Sequence, residues 1–163
     1  QTIVSIQKFE KDKTLLFITK DGICLNANID DVPLQSKTAT GVKGINLGEN
    51  DSVIYSSLVK NTDDVIVLTD EGYIKKVNMS QIDVLARNRK GVKIITFDKN
   101  GTKLILAKVA RSDFEIYAIN AQNKVVSIKT EQISQESRTT KGKGIVKPSK
   151  TEKLKNAYVY LWS

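Results

Sequence analysis

The sequence predicts an all-β fold made of about three propeller-like blades, each of about four strands. One short pattern occurs three times in the 163 residues, at intervals of about fifty residues. Each repeat contains strand-forming residues, a tight turn and a returning strand, followed by a basic loop that contains glycine. Repetition at this interval is typical of stacked or radially arranged units.

Repeat two shows the unit most clearly. Residues 65–69 are β-formers that are apolar on both faces, as in a buried strand. Asp70-Glu71-Gly72 is the predicted turn, in which Gly72 supplies the positive φ of a tight hairpin, and residues 73–77 return as the second strand. Gly22 takes the same place in repeat one. Asn123 takes it in repeat three, because asparagine tolerates the left-handed region best after glycine.

The remainder of each unit is also predicted from equivalent positions. A short polar segment with one apolar anchor (Val32, Ile82 or Ile133) follows each hairpin, and residues 80–82 are predicted to form one helical turn. After the basic loop, further strands are expected at 45–47 and 94–97. The last strands of the units are expected at 52–59, 103–109 and 157–162.

These elements divide the chain into three blades, at residues 14–60, 61–111 and 112–163. Residues 1–13 are expected to hold the last strand of a preceding unit, at 2–7. Three blades rarely close a ring, so we expect an open arc or part of a larger ring. A ring completed by a second copy of the chain is the less favoured arrangement.

The charge distribution indicates a polyanionic partner. The formal net charge is +8, but residues 1–84 hold 9 Lys/Arg against 12 Asp/Glu, whereas residues 85–163 hold 17 against 6. Nucleic acid is the first expectation and an anionic membrane the second, while solubility alone is the alternative. No apolar run approaches the roughly 20 residues that cross a bilayer.

No catalytic or cofactor site is predicted. The chain has no histidine, which removes the commonest general base and metal ligand. Cys24 lies in a strand pattern and is interpreted as a buried structural thiol. As the only cysteine, it also excludes an internal disulfide, which fits a reducing compartment. The paired acidic residues fall in polar turns, where solvated carboxylates are the default interpretation.

Several short motifs recur in a fixed order. They are Thr69-Asp70-Glu71-Gly72, Lys75-Lys76, Arg87-Asn88-Arg89-Lys90-Gly91 and Arg138-Thr139-Thr140-Lys141-Gly142. In this order they resemble the C-terminal repeats of bacterial type IIA topoisomerase A subunits, the family of DNA gyrase and topoisomerase IV. The resemblance covers roughly residues 14–162. The glutamine-initiated basic box typical of gyrase is absent, so the chain is more similar to topoisomerase IV.

The resemblance implies a β-pinwheel, a propeller variant whose blades exchange strands and whose basic outer rim bends duplex DNA. It implies a non-catalytic domain that binds phosphates with little sequence specificity. The expected partners are duplex DNA, the ATPase B subunit, and the rest of the A subunit, in the cytoplasm at the nucleoid and without a membrane.

The candidate DNA-binding residues are the cations of the basic loops. In repeats two and three they are Arg87, Arg89, Lys90, Lys93, Arg138, Lys141 and Lys143. Lys37 and Lys43 of repeat one are weaker candidates. Lys75 and Lys76 are also candidates, although solubility of a strand surface explains them nearly as well. The loop glycines serve either close approach to phosphate or the turns alone, and both interpretations stay open.

Two other functions are compatible with a basic repeat domain. A propeller-like scaffold that docks an acidic protein through the basic patch is the main alternative. A single-strand binder is disfavoured, because the basic loops contain no Phe, Tyr or Trp on which bases could stack.

Overall fold

A computed structural model describes residues 3–8, 10–33, 40–146 and 152–161. Short β-strands and single 3-10 turns make up its regular structure. The strands are β1 (Thr14–Thr19), β2 (Ile23–Ala27), β3 (Val53–Val59), β4 (Asp64–Thr69), β5 (Ile74–Asn78), β6 (Val84–Leu85), β7 (Val92–Lys93), β8 (Leu104–Ala110), β9 (Phe114–Asn120), β10 (Val125–Lys129) and β11 (Leu154–Leu161). The 3-10 turns span Ile29–Asp31, Met79–Gln81 and Thr130–Gln132.

The same three-stranded antiparallel sheet recurs in every repeat, which confirms the predicted all-β repeat. The strand orders are β3-β1-β2, β8-β4-β5 and β11-β9-β10. Equivalent residues pair in the same register, with Phe17 opposite Leu25, Val67 opposite Lys75, and Ala118 opposite Val126. Leu25, Lys75 and Val126 therefore occupy one structural position in the three repeats.

The hairpin turns have the predicted backbone. Gly22 and Gly72 have φ of 81° and 82°, and Asn123 takes the glycine position with φ of 61°. The predicted helical turn is present as Met79–Gln81, with counterparts in the other two repeats. Asn28 and Asn78 cap two of these turns by accepting the backbone N–H two residues later.

In the sheets of repeats one and two, the fourth position is filled by the following repeat. β6 pairs in parallel and β7 antiparallel with the outer edge of β2. On β5, isolated bridges join Ile74 to Lys143 and Lys76 to Gln135. The prediction of strands at 45–47 and 94–97 was wrong. Ile45 forms a single bridge, and the apolar residues at 94–95 are buried between sheets instead of pairing in one.

Two apolar cores lie between successive sheets. The first joins sheets one and two around Leu16, Val67 and Ile94, and the second joins sheets two and three around Ile66 and Phe114. The middle strand β4 sends alternate residues into the two cores, so sheet two lies between sheets one and three. This stacking brings the loops of successive repeats together.

The predicted anchors behave differently at the open end of the stack. Ile82 and Ile133 are buried against the preceding sheet, but Val32 is 41% exposed, so its assignment as an anchor was wrong. In the described part of the chain no sheet precedes β1 to cover Val32. Residues 3–8 form no strand, and the side chain of Gln7 instead bonds to the backbone of Ser56 and Leu58 in β3. The division into units remains a prediction.

Candidate nucleic-acid interface

Most of the predicted cations lie on loops at one edge of the stacked sheets. We call this set the basic rim, and its members are Lys43, Arg87, Arg89, Lys90, Lys93, Arg138, Lys141 and Lys143. The loops of repeats two and three run along the outer strands β2 and β5, on the side opposite β3 and β8. Strand exchange therefore carries the basic loops of repeats two and three onto the sheets of repeats one and two.

Equivalent arginines link these loops in series. The Arg87 guanidinium donates to the carbonyl of Lys43 at 2.9 Å, and the Arg138 guanidinium donates to the carbonyl of Lys93 at 2.6 Å. Backbone contacts repeat in the same way, from the Asn46 N–H to the Arg89 carbonyl and from the Thr96 N–H to the Thr140 carbonyl. The cationic loops of the three repeats thus lie next to one another in chain order.

The rim cations differ in how available their charges are. Lys43, Arg89, Lys90, Lys93 and Lys143 are exposed, and within the described residues none of them pairs with a carboxylate. Arg87 and Arg138 are half-buried because each guanidinium holds a neighbouring carbonyl.

Lys141 is a rim cation with an acidic partner. Its ammonium pairs with Asp98, and this hydrogen bond holds the pKa of the Asp98 carboxyl below its usual value. Sequence analysis missed this pair, because the two residues lie in different repeats and no local pattern connects them. A phosphate at this position would compete with Asp98 for the lysine.

The loop glycines are needed for backbone geometry. Gly91 and the equivalent Gly142 have φ of 79° and 77°. A Cβ on Gly91 would lie 2.2 Å from the Cys24 carbonyl oxygen, and one on Gly142 would lie 3.1 Å from that of Ile74. Each glycine therefore lets its loop lie against the preceding sheet, which favours the turn interpretation over close approach to phosphate.

Two of the predicted candidates lie away from the rim, and a third lies outside the described residues. Lys75 is fully buried, so its placement on an exposed strand surface was wrong. Burial lowers the pKa of Lys75 to about 8; Glu136 opposes this shift and the charge of Arg138 adds to it. Lys76 is half-exposed in a groove that Asp64, Asp113 and Glu131 also line, away from the rim. Lys37 lies outside the described residues.

The remaining chemistry offers no second site among the described residues. Cys24 is buried, as predicted, and burial raises the pKa of its thiol to about 12. No group of three or more Cys, Asp or Glu side chains could hold a metal ion within these residues. In the same residues, no helix has the length and apolar character to span a membrane.

The recurring sheets and exchanged edges define a propeller-like domain of the β-pinwheel class. The model of the family described as "DNA gyrase C-terminal domain, beta-propeller" matches residues 13–60 and 63–103, which is more than half of the chain. The chain belongs to this family. The resemblance inferred from the motifs is therefore confirmed.

A relative of known identity agrees with this assignment. The A subunit of DNA topoisomerase 4 from Staphylococcus aureus (strain MRSA252) is 26% identical over 122 residues, which is 74% of this chain and 15% of that protein. The chain therefore spans only a small part of this relative. The relative is a topoisomerase IV subunit, which agrees with the prediction that the chain is more similar to topoisomerase IV than to gyrase.

Three solved C-terminal domains share the fold. That of a DNA topoisomerase IV has a TM-score of 0.79 at 22% identity, covering 91% of this chain and 47% of that one. A DNA gyrase A C-terminal domain has a TM-score of 0.76 at 24% identity, covering 93% of this chain and 52% of that one. The E. coli ParC C-terminal domain has a TM-score of 0.69 at 17% identity, covering 93% of this chain and 62% of that one.

Proposed function

We propose that this chain is a non-catalytic domain of a type II DNA topoisomerase A subunit, and that it binds and bends duplex DNA. In this proposal the basic rim engages the phosphates. The single observation that carries it is the repeated arginine contact, from Arg87 to Lys43 and from Arg138 to Lys93, because it lines up three cationic loops along one edge.

The chemistry of the rim fits a duplex backbone. Lysine and arginine neutralise phosphates and release condensed counterions, so several exposed cations in a row suit a linear polyanion. The rim consists of loops and the short strand β7 and offers no helix for a groove, so contacts to phosphate would carry little sequence information. Bending a short duplex costs on the order of 1–6 kcal/mol, which several such contacts can offset.

The family assignment supplies the context of the proposal. The proposed protein partners are an ATPase B subunit, which would hydrolyse ATP, and the rest of the A subunit, which would cleave DNA. The proposed location is the cytoplasm, at the nucleoid. The alternative of a basic docking patch for an acidic protein has no separate structural observation in its favour.

A competition experiment tests the proposal. Labelled mixed-sequence duplex is bound to the protein and then displaced by unlabelled duplex, single strands or an acidic peptide at several salt concentrations. We expect duplex to compete best, affinity to fall steeply with salt, and dyes at the two duplex ends to approach each other on binding. An acidic peptide that competes as well as duplex, or an affinity that ignores salt, would refute the proposal.

A further inference from the structure

Lys75 is a fully buried lysine in the sheet of repeat two. Lysine is almost never fully buried unless its charge is compensated. Lys75 lies in β5, and the equivalent positions in the other repeats hold Leu25 and Val126. An apolar residue therefore satisfies this position in the fold of a repeat. The lysine of repeat two requires a separate explanation.

Backbone oxygens of repeat three surround the Lys75 ammonium. Its Nζ donates to the carbonyls of Ser137, Arg138 and Thr140 at 2.9, 3.0 and 2.8 Å, and the Thr140 hydroxyl oxygen is 3.2 Å away. An ammonium has three protons, so one of them is shared between two acceptors. No carboxylate of the described residues pairs with Lys75.

These acceptors belong to the loop that carries the rim cations of repeat three. Arg138 supplies one of the three carbonyls, and Lys141 and Lys143 follow in the same loop. The end of the loop is held separately, by paired backbone bonds between Ile74 and Lys143. At the beginning of the loop the carbonyls turn inward to Lys75, and the Arg138 N–H and guanidinium add bonds to Gln81 and to the Lys93 carbonyl.

The corresponding loop of repeat two is held differently. The chain between β6 and β7 passes the edge of β2 at Leu25, whose side chain has no polar atom. Both loops are joined to the preceding repeat by equivalent backbone bonds, Asn46 to Arg89 and Thr96 to Thr140, and the loop of repeat two has a further bond from Asn88 to Gly44. The two loops can therefore be compared within one protein: the loop of repeat three surrounds the Lys75 ammonium, and the loop of repeat two surrounds no ammonium at the equivalent position.

We propose that Lys75 is a positioning residue of the interface, which fixes the loop of residues 137–141 by gathering its carbonyls so that the cations of repeat three face outward. This role rests on the proposed function, since it assigns a purpose to the geometry of the rim. Lys75 contacts no phosphate itself. Its loss would leave the Arg138 carbonyl without a donor among the described residues, and would leave the Ser137 and Thr140 carbonyls only their longer bonds of 3.1 to 3.4 Å. Buried carbonyls that lose a donor are costly, so the loop would open toward water.

The test compares K75M with K76M. The two lysines are neighbours in β5, and each substitution removes one positive charge. Only the Lys75 ammonium donates to the loop of residues 137–141. Limited trypsin digestion at neutral pH, followed by mass spectrometry, measures cleavage after Arg138 and Lys141, with cleavage after Arg89 as the internal reference. We expect K75M to be cut at least about tenfold faster at the first two sites only, because its loop opens locally, and K76M to match the wild type.

A measurement on the wild-type protein does not depend on how a variant folds. In lysine-¹⁵N-labelled protein, the Lys75 ammonium should exchange its protons slowly and show scalar coupling to the carbonyl carbons of Ser137 and Thr140. Fast exchange with no coupling would overturn the inference, as would equal cleavage of K75M and K76M. K75L, which copies repeat one, repeats the cleavage test if K75M fails to fold.

DNA binding separates this inference from the proposed function. We expect K75M to bind duplex about five- to tenfold more weakly than K76M at the same net charge, since displaced cations contribute less to phosphate neutralisation. If the loop opens and the two affinities stay equal, Lys75 does not position the interface. If the wild-type protein binds no DNA, the proposed function fails, while cleavage and exchange still report on the loop.

Discussion

Removing two rim charges should change how DNA binding depends on salt. Arg89 and Lys90 are suitable because both are exposed, neither pairs with a carboxylate of the described residues, and neither side chain has a hydrogen bond that holds the backbone. The double variant R89Q/K90Q therefore removes charge from the basic rim without removing a structural contact.

The expected magnitude follows from the number of available cations. Five rim residues are exposed and without a carboxylate partner in the described residues. Each neutralised phosphate contributes about 0.9 to the slope of log affinity against log salt, so the wild type should show a slope of about −4.5 and the variant about −2.7. Between about 50 and 200 mM salt, these slopes correspond to losses of about 500-fold and about 40-fold.

Fluorescence anisotropy with a mixed-sequence duplex measures both slopes. K60Q/K155Q is the matched control, because Lys60 and Lys155 are exposed and lie at or beside strands β3 and β11, on the opposite edge of the sheets. The control has the same net charge as the rim variant and should keep the wild-type slope. Equal slopes in the two variants would refute the reasoning, because binding would then depend on net charge alone.

Three further predictions concern single residues. D98N releases Lys141 and should strengthen duplex binding and steepen its salt slope by up to about 0.9, measured in the same assay; an unchanged slope contradicts this. The pKa of Lys75 is about 8 in the folded protein and is ordinarily 10.5, so the unfolded state binds more protons between these values. The free energy of unfolding should therefore rise with pH across that window by up to about 3 kcal/mol relative to K75M, and parallel urea-unfolding profiles would contradict this. The Cys24 thiol should react with Ellman's reagent at pH 8 only on unfolding, because its pKa is near 12; immediate reaction of folded protein is the contrary result.

The hairpin turns and the basic loops could be predicted from short stretches of sequence. Gly72 and Asn123 mark turns because few residues tolerate positive φ, and the residues around them alternate as strands do. The position of Arg87 and Arg138 in equivalent loops was also visible, because both precede a Lys-Gly pair at the same interval. Such features depend on a few neighbouring residues, so the sequence displays them directly.

The strands exchanged between repeats could not be predicted from short stretches of sequence. Residues 94–97 are apolar and β-forming, which predicts a strand, yet Ile94 and Ile95 fill a core while β6 and β7 take the edge position of the preceding sheet. The choice depends on which edge the preceding repeat leaves free. No propensity of the segment itself contains that information.

The sequence by itself determined a repeated β unit, the turns that close its hairpins and the basic character of the loops that follow them. Only the tertiary structure decided which cations share a surface. Lys75 and Lys76 are adjacent and chemically identical, but alternation along β5 turns one toward the carbonyls of repeat three and the other into an acidic groove. The physical reason is that the surroundings of a side chain are set by residues about sixty positions away, which no local pattern specifies.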